Sequence, residues 1–569
     1  MPYRAPADEF QFILDKVVDF GRLSDMERFA SVDLDVAAAI LSEAAKLASD
    51  VIAPLDRGGD QQGATLENGT VRTSPGFADG FATLAKGGWI GMLASPENGG
   101  MGLPLSIGTA VNDMLSGACL SLSLNPLMSQ GQIEALEHHA SDEIKALYLP
   151  KLMDGSWCGT MNLTEAGAGS DVGALRSKAT RNSDGTYSIT GQKIFISWGD
   201  SDFAENICHL VLARLPDGVE GTKGISLFMV PKIVPNADGS LGEANAVSVV
   251  SLEHKLGIHG SPTCVMDYNG AKGWLIGREH EGIKCMFTMM NNARLGVAAQ
   301  GVGVAEAATQ RALSYAQDRV QGVPLAGENG AICDHADVRR MLATMRAETF
   351  VARSIALACG VALDMALDDA DLAARGAFLL PIAKAFGTDI GHEVAQMGVQ
   401  VHGGMGYIEE TGAAQYARDA RITSIYEGTN GIQAMDLVSR KLNDGGDAAF
   451  AILDEIESFA EAARGQMPSL AKEVWSAAET LREGVEAMIA LPLNDRFAGA
   501  VPFLRAFARV LGGHYHLKAA IAEEGEGKRT KLAAFYIRRL LPEHGALLTQ
   551  ARQGATDLYA FSMDELSAG

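Results

Sequence analysis

No cysteine pair in this 569-residue chain has C-x-x-C spacing, and the seven cysteines, Cys119, Cys158, Cys208, Cys264, Cys285, Cys333 and Cys359, are odd in number. Neither a zinc site nor a disulfide framework is indicated, so buried free thiols are expected and no metal site is. Positive charge is scarce: 47 Lys and Arg stand against 70 Asp and Glu, a formal net charge of −23. Such a surface repels phosphate backbones and anionic lipid, which argues against nucleic acid and membrane partners. No apolar run approaches the roughly 18 residues a membrane span needs. The opening MPYRAPADEF lacks the basic start, apolar stretch and cleavage site of a secretory signal, and its acids argue against a mitochondrial presequence. A cytoplasmic location is expected. Tandem repeats, low-complexity tracts and long single-sign charge runs are all missing.

What is present describes a globular protein, with 47 % hydrophobic and 21 % charged residues. At about 150 residues per domain the length implies three to four domains. From residue 33 to about 155 apolar residues recur every three or four positions, as in DVAAAILSEAAKLASDVI, so residues 1–155 read as a helical domain. Around Trp157 the texture changes. TYSITGQKIFISW alternates apolar and polar about an expected Thr190–Gly191 turn, and ICHLVLARL, GISLFMVPK and CVMDYNG are further β-rich runs, which sets a β domain at 156–285. The helical period returns at Met286 in segments such as ARLGVAAQGVGVAEAATQRALSYAQDRV, long enough to pack as a bundle over 286–442. NDGGDAA, after Leu442, reads as a hinge, and 443–569 as an additional helical domain with breaks near Pro468, Pro492 and Pro542. The fold class is mainly α with a central β domain.

Glycine is abundant, with 64 residues or about 11 % against a usual 7 % or so. Two glycine-rich segments stand at element boundaries, MNLTEAGAGSD (161–171) and VQVHGGMGYIEETG (399–412). Either could bring backbone N–H groups close to a phosphate or flavin, since glycine has no side chain to hold a ligand away. Taken singly, either is more simply a tight turn. The glycines of GVGVAEA (301–307) lie within a helical pattern and suit close helix packing. In RDARITSIYEGTNGIQAMDLVSRKL, Glu427 precedes Gly428 and Thr429 and a new helical pattern. A carboxylate just outside a helix N-terminus can act as a proton abstractor once water is excluded, and can equally be a solvated or capping group.

T-E-x-G-A-G-S-D, then G-x-K-x-x-I-S, Q-x-x-G-G-x-G-Y and R-D-A-R-I-x-x-I-Y-E-G-T-N, in that order, closely resemble the acyl-CoA dehydrogenase flavoproteins over about 80–442. Over its whole length the chain is similar to the bacterial 3-methylmercaptopropionyl-CoA dehydrogenase branch. The family resemblance implies a helical N-terminal domain, a β-barrel and a four-helix bundle, here with a C-terminal helical extension. It implies noncovalent FAD and α,β-dehydrogenation of an acyl-CoA thioester, the branch pointing to 3-methylmercaptopropionyl-CoA going to methylthioacryloyl-CoA. Glu427 would be the base, its own N–H and a ribityl hydroxyl polarising the carbonyl, with hydride leaving to flavin N5.

Further roles come with the resemblance. Met161, Leu163, Thr164, Gly169, Ser170, Phe195, Ile196 and Ser197 would line the cofactor, with the Thr164 and Ser197 hydroxyls on the ring and Phe195 packed against it. Ser170, Arg294 and Gly428 would meet the acyl-CoA. Arg319, Gln400, Gly403 and Gly404 would bind the pyrophosphate and adenine end of a neighbour's FAD, joined by Thr429, which implies an oligomer, and with the tail after about 443 a homodimer. The tail would cover the face on which tetrameric relatives pair their dimers. Ala293 stands where some branches carry the base, which leaves Glu427 without a rival, and His402 reads as structural. An electron-transfer flavoprotein is the implied electron acceptor. A general short-, medium- or long-chain dehydrogenase and an acyl-CoA oxidase share these residues; a DNA-associated flavoprotein branch shares the fold, but the −23 charge opposes it.

Overall fold

The structure, a computed structural model, describes residues 3–327, 330–366, 369–523 and 527–567. The N-terminal part carries α1 (Ala7–Lys16), α2 (Leu34–Leu47), α3 (Asp56–Gln61), α4 (Phe77–Lys86), α5 (Leu105–His139) and α6 (Asp142–Met153), with a hairpin of β1 (Thr65–Glu67) and β2 (Thr70–Arg72). Asn68 and Gly69, with φ of 52° and 79°, make its two-residue loop, the dipeptide chemistry such a turn demands. The helical reading of this region passed over that signal.

The central sheet contains β3 (Trp157–Asn162), β4 (Lys178–Arg181), β5 (Tyr187–Ser197), β6 (Asn206–Arg214) and β7 (Ile225–Pro231). Beyond the small pair β8 (Ile233–Pro235) and β9 (Leu241–Ala244) come β10 (Val247–Leu252) and β11 (Thr263–Ile276). Pairing runs β11–β5–β4–β6–β7 and returns from β7 to β11, so the strands close a ring, with β10 flanking β11 and β3 parallel to β6. Ala179, Ile189, Val211, Phe228 and Met266 fill the interior, the inward half of the alternation the sequence shows. The expected Thr190–Gly191 turn is not there. β5 runs straight through both residues, and Gly191 is glycine because a Cβ would lie 2.4 Å from the Ser177 hydroxyl.

Then follow α7 (Gly282–Asp318), α8 (Ala336–Met365), α9 (Ala370–His402), α10 (Ala413–Ala420) and the seven-residue α11 (Asn430–Asp436). α5, α7, α8 and α9 pack on one another. Glycine costs a helix roughly 1 kcal/mol, and here it permits backbone contact: a Cβ on Gly301 would meet Gly387 O of α9 at 2.4 Å, and one on Gly303 would meet Asp113 O of α5 at 2.3 Å. Arg353 of α8 ties the same helices, donating to Asp113 of α5 at 2.9 Å and to Glu306 of α7 at 3.0 Å.

The tail holds α12 (Asp447–Ala463), α13 (Pro468–Ala490), α14 (Leu493–Ala522), α15 (Lys528–Arg539), α16 (Glu543–Ala551) and α17 (Met563–Ser567), its helices starting at or just after Pro468, Pro492 and Pro542. α14 lies against α8, α9 and α11. Its Phe503 and Phe507 belong to the bundle's apolar core, and its Arg509 meets Glu348 of α8 at 2.5 Å.

Candidate active site

After α10 the chain makes a short 3-10 turn, Arg421–Ser424, and reaches Glu427 three residues before α11 begins. Glu427 and Gly428 both have left-handed backbones, φ 55° and 83°. For a glutamate that conformation costs roughly 1–2 kcal/mol, so surrounding contacts must hold it. Gln433 Nε2 donates to Glu427 O at 3.2 Å, Lys384 Nζ to Gly428 O at 2.9 Å, and Thr429 Oγ1 caps α11 by accepting from Ile432 N at 3.3 Å. The Tyr426 hydroxyl donates to Gln300 Oε1 on α7. A side chain at Gly428 would lie 2.8 Å from Gln433 Nε2. The Glu427 N–H has no partner among the described residues.

Burial pushes the Glu427 carboxyl up to about 7, against the pull of Arg294 and then Lys384. Burial in turn brings Lys384 down to about 8, with Glu427 and Asp389 opposing. Arg294 is also lowered by burial; it lies over the Phe287 ring, and its Nε has no partner among the described residues. A carboxyl poised near neutrality under the influence of two buried cations can accept a proton at physiological pH.

A second group forms at the mouth of the barrel. Thr160 of β3 donates to Ser197 O at 2.7 Å, and Ile194 N to Thr164 O at 2.9 Å, so the loop after β3 lies along the end of β5. Buried Lys193 locks it, donating to Leu163 O at 3.0 Å and Glu165 Oε1 at 2.8 Å, while Glu165 also accepts from Arg176 N and Ser177 N. Met161 and Leu163 are half-buried, Gly169 and Ser170 exposed, and no atom lies within 4 Å of a Cβ placed on Gly167 or Gly169. Phe195 is held at φ 61° with 59 % of its surface exposed. The hydroxyls of Thr164, Ser170 and Ser197 make no hydrogen bond among the described residues. Ile196 differs from its neighbours: its side chain is buried in the barrel core, so only its backbone faces the loop. α5 joins this group to the first, since Ser129 Oγ accepts from Gly159 N at 3.0 Å and Gly131 packs on Met289, five residues before Arg294.

The third group lies elsewhere. Arg319 is exposed at the end of α7, and Gln400, Gly403 and Gly404 are exposed at the end of α9. At about 1.5 Å per residue, Arg319 is roughly 37 Å along the helix from Arg294. One protomer therefore does not bring Arg319 to Glu427, and Thr429 lies with the base rather than with Arg319. His402 is buried and stacked on Tyr315 at 4.3 Å, its Nδ1 2.7 Å from Gly398 O, so it braces the turn. Sequence reasoning missed Lys384, Asn430, Gln433 and the Lys193–Glu165 lock. A lone lysine inside the apolar run FLLPIAKAF was the signal available for Lys384.

Four family descriptions match the chain: acyl-CoA dehydrogenase N-terminal domain at 36–156, middle domain at 160–271, C-terminal domain at 280–442, and acetyl-CoA dehydrogenase C-terminal like at 452–562. The 3-methylmercaptopropionyl-CoA dehydrogenase of Ruegeria pomeroyi is 43 % identical over 541 residues, 92 % of each chain. Among solved structures, Caenorhabditis elegans ACDH-11 in complex with C11-CoA superimposes with a TM-score of 0.80 at 19 % identity, covering 95 % of this chain and 92 % of that one. An acyl-CoA dehydrogenase complexed with FAD from Bacillus anthracis gives 0.74 at 21 % identity, covering 94 % and 90 %.

Proposed function

Because the chain belongs to the acyl-CoA dehydrogenase family of FAD-dependent oxidoreductases, we propose that it desaturates a short acyl-CoA, 3-methylmercaptopropionyl-CoA to methylthioacryloyl-CoA, with Glu427 as the base. The observation that carries the chemistry is the Glu427 turn, a carboxyl raised to about 7 near two buried cations, on the same residue as a backbone N–H with no partner among the described residues; the choice of substrate follows the 43 % identity to the Ruegeria pomeroyi enzyme.

The residues at the barrel mouth fit a flavin. Two glycines open the surface, an exposed aromatic stands at its edge, and three free hydroxyls offer polar partners. Thr164, Ser197, Phe195, Met161, Leu163 and Gly169, with the Ile196 backbone, would hold the ring, and Arg319, Gln400, Gly403 and Gly404 the pyrophosphate end of a partner's FAD beside Thr429. FAD, when bound, supplies the acceptor for the β-hydrogen and its two electrons at N5. The Glu427 carboxylate takes the α-proton. Its N–H donates to the thioester carbonyl, stabilising the charge that develops there as the proton leaves. Arg294, Gly428 and Ser170 position the acyl-CoA. The thioether sulfur takes no part, so straight chains of similar size react as well; one methylene in an apolar pocket is worth about 1–3 kcal/mol. The active form is a cytoplasmic homodimer that passes electrons to an electron-transfer flavoprotein.

Anaerobic reduction of the bound flavin by 3-methylmercaptopropionyl-, butyryl-, octanoyl- and palmitoyl-CoA tests the reading. The thioether and butyryl substrates should lead. A palmitoyl optimum with a barely turned over thioether substrate would overturn the substrate assignment, and rapid oxygen consumption during turnover would make the enzyme an oxidase.

A further inference from the structure

We propose that Lys384 is a positioning residue for the base: from the middle of α9 its ammonium clamps the turn carrying Glu427 and sets a positive charge against that carboxylate. The proposal rests on the reading of Glu427 as the base.

Lys384 is fully buried. An uncompensated buried ammonium costs several kcal/mol, so its partners matter. Nζ donates to Gly428 O and to Asn430 Oδ1, both at 2.9 Å. Asn430 is itself fixed, its Nδ2 donating to Ala385 O at 3.1 Å and Asp389 Oδ1 at 2.7 Å, which leaves Oδ1 to accept from Lys384. The clamp thus grips the carbonyl directly after Glu427, at the two consecutive left-handed residues. Without it the Gly428 carbonyl loses the donor that anchors the turn to α9.

Charge is the second half of the argument. The ionisable groups acting on Glu427 are Arg294 of α7 and Lys384 of α9, with Tyr426 adjacent in its own turn. Lys384 is met by Glu427, Asp389 and Arg294; Arg294 is also met by Asp436 and Arg440. Both cations favour the carboxylate against the effect of burial. Removing Lys384's charge therefore raises the pH at which Glu427 ionises, and the acid limb of the reaction moves to higher pH.

The test is single-turnover flavin reduction by butyryl-CoA across the pH range in Lys384→Met, Lys384→Gln and Lys384→Arg holoenzymes, with FAD content and melting temperature measured alongside. The acid limb should rise by roughly 0.5–1 pH unit in the Met and Gln variants and stay in place in the Arg variant. The alkaline plateau should fall about 10- to 100-fold in Lys384→Met and less in Lys384→Gln, whose amide can still donate to both oxygens. A role confined to stability would lower the melting temperature and leave the limb unmoved, and that result overturns the proposal. If neither neutral variant loads FAD, Asn430→Ala takes their place: a lowered plateau supports the clamp, and a wild-type plateau overturns it. Glu427→Gln run in parallel separates the two claims, because a fast Glu427→Gln enzyme removes the base itself, whereas an inactive one beside an unmoved limb removes Lys384 alone.

Discussion

Two regions of the helical bundle, the interior around the Glu427 turn and the C-terminal ends of α7 and α9, are finished to different degrees. Around the base Lys384 and Arg294 are buried, and α7, α9 and α11 of the same chain each supply a hydrogen bond to the Glu427 turn. In the second region Arg319, Gln400, Gly403 and Gly404 are exposed beside Val323 and Tyr407, which show 88 % and 85 % of their surface. Raising a carboxyl toward neutrality needs exclusion of water, which the first region provides. The second has a cation, glycines and apolar side chains left exposed among the described residues, the surface that the proposed homodimer would cover.

Damage to each region has its own signature, and damage to the buried core that joins them removes both. Arg353→Met breaks the buried Asp113–Arg353–Glu306 group and should cost about 3–5 kcal/mol in a denaturant melt, with flavin and activity lost together. Tyr407→Glu combined with Val323→Glu should convert dimers to monomers in sedimentation and release FAD on gel filtration, with the chain still folded by circular dichroism; a flavin-loaded monomer would break the comparison. The rate of flavin reduction should drop about tenfold per pH unit below about pH 7 as Glu427 protonates. The smallest effect concerns stability. Since Glu427 ionises at higher pH in the folded chain than in the unfolded one, it lowers stability as pH rises from the ordinary carboxylate range through about 7. Glu427→Gln should therefore melt slightly above wild type at pH 8, on the order of 1 kcal/mol, and match it at pH 4.

Legibility from sequence followed contiguity. Glu427 stood out in the sequence as a candidate base because its turn, glycine and cap occupy neighbouring positions, Glu427-Gly428-Thr429. Lys384 lies 43 residues before Glu427, and only the packing of α9 against α11 brings it to Gly428 O. The order of helical, β and helical textures was readable from periodicity, but the closing of the barrel depends on β11 pairing with both β5 and β7, which no local pattern encodes. Gly191 misled: a glycine in an alternating stretch suggests a turn, whereas here it clears space for Ser177 and the strand continues. The motif singled out Phe195 as a candidate; its left-handed backbone and exposure came only with the structure.

The central claim, that Glu427 takes the substrate α-proton, is tested most directly by anaerobic stopped-flow reduction of flavin-loaded Glu427→Gln, with acyl-CoA affinity measured separately by calorimetry. The account predicts wild-type assembly, FAD content and affinity, with flavin reduction slowed by about 10²- to 10⁴-fold, because the amide keeps the shape of the base and cannot accept the proton. Reduction at the wild-type rate would contradict it.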